Sequence, residues 1–179
     1  MTLASYITLL RIVFIIPIMY LTSEISLQAN IFALFLFFLA GITDYLDGRI
    51  ARKTNTETSL GALLDLLADK LLVCIVLVWL VFVKHDLFLI IPVLIIISRE
   101  LIISSLRQYI VESVGENKIK VSKAGKSKTG LQFLAISLLI ISPNLGHCFN
   151  LLSYLVIWLA AFMSAYSMIL YLRDWRVYF

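Results

Sequence analysis

Apolar residues fill six stretches of this chain, and short polar segments separate them. The stretches cover residues 4–22, 29–43, 60–83, 87–106, 124–142 and 151–172. Most are close to the roughly 20 residues that an α-helix needs to cross the hydrocarbon core of a bilayer. The second is shorter, but its helix can continue through Arg52 into the aqueous interface. The pattern predicts an all-α integral membrane protein in which residues 1–179 form a single domain of six transmembrane helices.

The composition agrees with a membrane protein. Hydrophobic residues make up 61% of the sequence and the mean hydropathy is +1.00, whereas apolar residues make up about 45–50% of a typical soluble domain. The first stretch has no basic segment before it and no small-residue cleavage site after it, so we interpret it as an anchor rather than a signal peptide. Two cysteines are too few for a structural zinc site, and His85 and His147 are isolated from the acidic residues.

Lysine and arginine gather on one side of the predicted membrane. They follow the second and sixth stretches and fill the segment between the fourth and fifth, whereas the opposite loops contain one Lys and no Arg. The positive-inside rule then places both termini in the cytoplasm, with the protein in the cytoplasmic (inner) membrane. The net charge of +4 indicates a basic inner face suited to anionic lipid headgroups and phosphates. Nucleic acid is not an expected partner, because no soluble domain is present to offer a groove.

Four aspartates lie in a fixed pattern across the second and third predicted helices. At helical spacing each half forms one stripe, with Asp44, Asp47, Gly48, Ala51 and Arg52 in the first and Gly61, Asp65 and Asp69 in the second. Two acidic stripes separated by a short turn are expected to converge on one pocket. About four negative charges could not stay ionised together there without cations between them. The sequence therefore predicts bound metal at the cytoplasmic end of these helices.

The acidic pattern resembles the signature of the CDP-alcohol phosphotransferase family, D-x2-D-G-x2-A-R-x8-G-x3-D-x3-D, and every specified position is met. Members of that family displace CMP from a CDP-linked lipid with an alcohol. The resemblance implies the family's fold, a homodimer in the membrane, and two Mg²⁺ or Mn²⁺ ions. By the same resemblance, Asp44, Asp47 and Asp65 are metal ligands. Asp69 would be a further ligand and also the general base for the acceptor hydroxyl.

The remaining signature positions suit the binding of CDP. The resemblance assigns them to that site together with one of the acids: Asp44, Gly48, Ala51, Arg52 and Gly61. Small residues leave space through which the nucleotide can approach both helices. The guanidinium of Arg52 suits the pyrophosphate. The Gly and Ala residues can instead reflect close packing of membrane helices.

Segments 8–11, 68–73, 99–107 and 125–129 resemble the bacterial branch of that family whose acceptor is glycerol 3-phosphate, although Leu66 stands where the branch usually has Pro. We expect cations near the cytoplasmic helix ends to hold the acceptor phosphate, namely Arg11, Arg99, Arg107, Lys126 and Lys128. Lys126 and Lys128 can instead anchor a helix end to anionic lipid. Arg99 and Glu100 interrupt an apolar run and are expected to line the cavity, with Glu100 paired to a cation rather than to metal.

Three functional hypotheses follow from the sequence. The leading one is metal-dependent transfer of a phosphatidyl group from CDP-diacylglycerol to glycerol 3-phosphate, which gives phosphatidylglycerophosphate and CMP. The second keeps this chemistry but takes serine, inositol phosphate or phosphatidylglycerol as the acceptor. The third is a multipass cation-binding or transport protein, which predicts acids at several membrane depths rather than at one end of the helices.

Overall fold

The computed structural model describes residues 3–54, 59–114 and 123–176, and within these ranges the chain is helical with no strand. The described residues form six α-helices and a 3₁₀ turn at Ser142–Asn144: α1 Leu3–Ser23, α2 Leu27–Thr54, α3 Ser59–Lys84, α4 Leu87–Val114, α5 Lys123–Ile141 and α6 His147–Trp175. Each predicted apolar stretch corresponds to one helix. The all-α prediction is therefore confirmed for the described part of the chain.

The helices extend beyond the apolar stretches at several ends. α2 runs on to Thr54, as expected if the acidic segment continues the helix. α4 continues past residue 106 to Val114, so it includes the first part of the polar segment between the fourth and fifth apolar stretches, while residues 115–122 lie outside the described part. α6 begins at His147, directly after Gly146, which has a φ of +88°. That left-handed conformation favours glycine, and it lets the chain turn immediately before α6 begins.

Among the residues that the structure describes, two helical segments are long and apolar enough to cross a membrane, Leu87–Glu112 in α4 and His147–Trp175 in α6. About one third of the residues in each are buried inside the structure. Shorter apolar segments, Leu9–Ser23 and Leu27–Thr43, lie in α1 and α2. By length and composition, α4 and α6 therefore support an integral membrane protein.

The helices pack around a main apolar core that contains several small residues, and a second, smaller apolar cluster lies between α4 and α6. α1 packs against α2 and α3, while α4 and α5 both pack mainly against α6. Fully buried alanines lie at the helix contacts: Ala33, Ala40, Ala135, Ala160 and Ala161. Small residues of this kind let helix backbones approach closely in membrane proteins. Large apolar side chains point outward as well, for example Ile16 at 70% and Phe162 at 69% exposure, which suits a surface that faces lipid.

Polar contacts connect the helices at the end that includes the α3–α4 and α5–α6 turns. The ammonium of Lys84 donates to Ser142 Oγ at 3.1 Å and to Asn150 Oδ1 at 3.4 Å. The hydroxyl of Tyr154 donates to Asp86 Oδ2 at 2.5 Å, and the backbone N–H of Phe88 donates to Asp86 Oδ1 at 2.8 Å. These two hydrogen bonds, that of Tyr154 first, hold the pKa of the Asp86 carboxyl below its usual value.

An open cavity of about 410 Å³ lies at this same end of the bundle. Its walls are mostly apolar and include Phe88, Tyr154 and Trp158, with Asp86 and His147 among the polar groups. None of the lining residues belongs to the aspartate signature. The cavity is therefore separate from the chemistry that the sequence predicts.

Candidate active site

The two halves of the aspartate signature lie on consecutive helices. Residues 44–52 belong to the C-terminal part of α2, and residues 61–69 belong to the N-terminal part of α3. Because α2 ends and α3 begins within a few residues, the two halves occupy the same end of the bundle. The helical conformation predicted for both halves is confirmed.

The side chains of most signature positions lie outside the described part of the structure: Asp44, Asp47, Gly48, Ala51, Arg52, Gly61 and Asp65. The same holds for Lys126. Asp69 is described, and its side chain is exposed. Among the described side chains, no group of three or more His, Cys, Asp or Glu residues lies close enough together to hold a metal ion. Convergence of the four aspartates on one metal site remains a prediction.

Arg99 and Lys128 meet at the carboxylate of Glu100. The ammonium of Lys128 donates to Glu100 Oε1, and Arg99 Nη1 lies 3.5 Å from Glu100 Oε2. Side-chain exposure is 2% for Lys128, 7% for Arg99 and 16% for Glu100, so the carboxylate is the most accessible of the three. Desolvated charges persist in proteins when they are paired and hydrogen-bonded. The expectation that Glu100 pairs with a cation is confirmed.

Polar groups of α5 and α6 complete this cluster. Gln132 Nε2 donates to Glu100 Oε1 at 3.2 Å and to Ser164 Oγ at 3.0 Å. Arg99 Nη2 donates to Ser167 Oγ at 3.1 Å, and the Arg99 guanidinium lies 5.7 Å from the centre of the Tyr171 ring. Gln132, Ser164 and Ser167 are buried. Arg99 is thus held by an acid, a hydroxyl and an aromatic face.

Lys70 of α3 also contacts this cluster, and it directly follows Asp69, the last aspartate of the signature. Its ammonium donates to the backbone carbonyl of Glu100 at 3.3 Å, and it also lies within electrostatic range of Asp69, its neighbour in the chain. We call the set of eight residues the Glu100 network, and its members are Lys70, Arg99, Glu100, Lys128, Gln132, Ser164, Ser167 and Tyr171. Through Lys70, the network borders the last aspartate of the signature.

The other predicted phosphate ligands lie in different surroundings. Arg11 is buried in α1, whereas Arg107 is exposed about two turns beyond Arg99 on α4. The structure thus brings Arg99 and Lys128 together, and it places Arg107 on the surface.

Sequence reasoning assigned no role to Lys70, Gln132, Ser164, Ser167 or Tyr171. A signal for some of them was present, because Gln132 interrupts an apolar run and Ser164, Ser167 and Tyr171 recur at helical spacing. Serine is nevertheless common at contacts between membrane helices. Its partners therefore become visible only when the helices are packed.

The chain is similar over most of its length to one family of proteins. A profile of the CDP-alcohol phosphatidyltransferase family matches residues 1–166. Proteins named CDP-diacylglycerol–glycerol-3-phosphate 3-phosphatidyltransferase are among its relatives. The one from Haemophilus influenzae is 37% identical over 94% of this chain and 90% of its own length. Those from Rickettsia bellii and Wigglesworthia glossinidia brevipalpis are 38% and 40% identical, over 99% and 88% of this chain and 97% and 87% of their own lengths. The chain belongs to the CDP-alcohol phosphatidyltransferase family.

Proposed function

We propose that this protein transfers the phosphatidyl group of CDP-diacylglycerol to glycerol 3-phosphate and so forms phosphatidylglycerophosphate and CMP. The observation that carries the proposal is the complete aspartate signature beside a buried cluster of cations. Relatives named for this reaction align with nearly the whole chain, which supports the same assignment. The comparisons give no support to the transport hypothesis.

We propose that the protein crosses the cytoplasmic membrane six times, with both termini and the active site in the cytoplasm. The concentration of Lys and Arg at one end of the predicted helices supports this orientation. The many outward-facing apolar side chains are suited to contact with lipid. Family resemblance further favours a homodimer. In this arrangement the lipid substrate enters from the inner leaflet, and the soluble acceptor arrives from the cytosol.

The four aspartates supply the donor set for divalent metal. Carboxylate oxygens are the ligands that Mg²⁺ prefers, and Mn²⁺ accepts the same set. We propose that Asp44, Asp47, Asp65 and Asp69 hold two ions. When bound, the ions neutralise the pyrophosphate and stabilise the charge that develops on the CMP leaving group. Arg52 is proposed to bind the pyrophosphate, and the small residues Gly48, Ala51 and Gly61 leave space for CDP.

Asp69 is proposed to accept the proton of the acceptor hydroxyl. Its exposed side chain is accessible to a water-soluble substrate. A carboxylate close to the reacting hydroxyl can act as a general base while that hydroxyl attacks phosphorus. The oxygen–phosphorus bond to CMP then breaks, and CMP carries away the electron pair.

The charge of the Glu100 network favours a phosphorylated acceptor. Lys70, Arg99 and Lys128 contribute three positive charges and Glu100 contributes one negative charge, which leaves a formal charge of +2. A phosphate monoester carries between about 1.5 and 2 negative charges at neutral pH, so glycerol 3-phosphate matches this excess and zwitterionic serine does not. Arg99 and Lys128 are therefore proposed as phosphate ligands, with Arg11, Arg107 and Lys126 as further candidates.

An acceptor panel tests the proposal. Purified protein is incubated with CDP-diacylglycerol and Mg²⁺, and CMP release is measured with glycerol 3-phosphate, serine, inositol phosphate or phosphatidylglycerol in separate reactions. We expect release with glycerol 3-phosphate alone, together with formation of phosphatidylglycerophosphate. Release only with another acceptor would contradict the assigned substrate. Release with none of them would contradict transferase activity altogether.

A further inference from the structure

Glu100 is the centre at which three helices bring their polar groups together. Its Oε1 accepts hydrogen bonds from Lys128 and Gln132 of α5, and its Oε2 faces Arg99 of the same helix. Its backbone carbonyl accepts a hydrogen bond from Lys70 of α3. The two carboxylate oxygens therefore serve different cations, which keeps the guanidinium and the ammonium on either side of one acid.

The position of the carboxylate is fixed from α6 as well. Gln132, which donates to Glu100, also donates to buried Ser164. Arg99 is fixed independently by its hydrogen bond to buried Ser167. Because Arg99 and Glu100 are anchored in this way and the buried Lys128 pairs with Glu100, few alternative rotamers are open to the three side chains. The network is thus preorganised before any ligand arrives.

Arg99 keeps a hydrogen-bond donor that the network does not use. Its Nε is buried and has no hydrogen-bond partner among the described residues, although the residue is only 6% exposed. Buried N–H groups are rarely left without an acceptor. The ammonium of Lys128 carries three donors. An anionic oxygen beside this pair would accept from both cations.

We propose that Glu100 is a positioning residue for the acceptor, because it holds Arg99 and Lys128 as a fixed pair that binds one phosphate group. This inference rests on the proposed function, since it takes a phosphorylated alcohol as the acceptor. Glu100 itself does not touch the reacting atoms. Without its charge, the guanidinium and the ammonium repel each other in a buried site and lose their common geometry.

The substitution Glu100→Gln tests this role with little change in side-chain shape. Loss of a charge-assisted contact is expected to raise KM for glycerol 3-phosphate by about tenfold or more. KM for CDP-diacylglycerol is expected to stay within about twofold, because the Arg99–Lys128 pair is proposed to bind the acceptor phosphate and not the nucleotide. Glu112→Gln is the matched control, since it makes the same change on an exposed residue of α4 whose contact is with Gln108. This control should keep both KM values.

Three outcomes overturn the inference. The first is an equal rise in both KM values together with a lower melting temperature, which would make Glu100 a brace of the bundle alone. The second is a lower KM for glycerol 3-phosphate, which would make Glu100 a competitor of the acceptor phosphate. The third is unchanged kinetics in Glu100→Gln. If wild-type protein releases no CMP with glycerol 3-phosphate, the proposed function fails instead.

Two milder variants decide the question if Glu100→Gln does not fold. Glu100→Asp keeps the charge and shortens the side chain by one methylene, so its KM for glycerol 3-phosphate should rise less than that of Glu100→Gln. Ser164→Ala removes the hydroxyl that anchors Gln132 and should raise the same KM about two- to threefold. Wild-type values of KM in both variants would contradict the positioning role.

Discussion

Gly41 lies where α2 packs against Phe133 of α5, and its replacement by alanine tests how tightly this contact is packed. A Cβ added at Gly41 would lie 2.6 Å from Cε1 of Phe133 and 2.8 Å from its Cζ. Ordinary contact begins at 3.4 Å, so the two groups must separate by about 0.8 Å. Phe133 cannot simply turn away, because its ring stacks on that of Phe37 with centroids 4.7 Å apart, and Phe37 is fully buried.

Two opposing terms determine the stability of Gly41→Ala. Extra atoms in a well-packed core cost about 1–3 kcal/mol. Alanine in place of glycine inside a helix contributes about 1 kcal/mol in the other direction. Gly130→Ala on α5 is the matched control, because a Cβ there meets nothing within 4 Å. The control carries only the favourable term, so the difference between the two variants isolates a packing cost of about 1–3 kcal/mol.

Thermal unfolding of the detergent-purified variants measures this difference. For a chain of this size, 1 kcal/mol corresponds to roughly 2–4 °C, so Gly41→Ala should melt about 2–12 °C below Gly130→Ala. Gly41 also lies three residues before Asp44 in α2, so displacement of this helix should lower the rate of CMP release. A Gly41→Ala protein that melts with Gly130→Ala or above it would refute the close packing of α2 on α5.

Three other predictions concern the site and the opposite end of the bundle. Asp69→Asn should lower CMP release by about 10²–10⁴-fold if Asp69 is the general base, and near-normal turnover with metal still bound would exclude that role. Chelation by EDTA should abolish CMP release, and added Mg²⁺ or Mn²⁺ should restore it; activity in excess chelator would contradict the metal site. Tyr154→Phe removes the first cause of the lowered pKa of Asp86. The hydrogen bond from Tyr154 should make the wild-type protein more stable than Tyr154→Phe, and this difference should be complete above the usual Asp pKa of 3.8. It should fade as the pH falls below that value, because the Asp86 carboxyl takes up a proton more readily in the unfolded chain than in the folded protein. Melting temperatures of both proteins between about pH 6 and 3 measure this, and a gap that stays constant over the range would refute it.

Hydrophobic patterning predicted the number of helices in the described chain but not all of their ends. It marks where side chains are apolar, whereas a helix continues until a cap or a special backbone conformation stops it. α4 therefore runs through the polar residues after 106 as far as Val114. At the other end of α4, Asp86 accepts the N–H of Phe88 and fixes the helix start. α2 was the exception, because the spacing of its acids required a helix beyond the apolar residues.

The sequence identified those residues of the candidate site that are unusual in an apolar helix and missed those that are common there. Arg99 and Glu100 are recognisable because an isolated charge in such a helix costs roughly 2.5–3.5 kcal/mol, whereas Lys128 is recognisable from the resemblance of segment 125–129 and from its place near a cytoplasmic helix end. Ser164 and Ser167 carry no such cost, so the sequence did not distinguish them from residues at an ordinary helix contact. Their importance comes from partners on other helices, Gln132 and Arg99. Those pairings depend on the rotation of α6 against α4 and α5, which one sequence does not determine.

The location of Lys70 has a consequence for how the two substrates are brought together. α3 carries Asp69 on the side of the proposed metal site, and the next residue reaches the backbone of Glu100 on α4. The accepting carbonyl belongs to the backbone of α4, so the side chain of Lys70 links α3 to α4 beside Asp69. This contact therefore contributes, together with the packing of α3 against α4, to the separation of the proposed general base from the proposed phosphate-binding pair. In a reaction that requires near-attack geometry, misplacement by about 1 Å can cost on the order of 100-fold in rate, so the separation between the proposed general base and the proposed phosphate ligands bears directly on the rate.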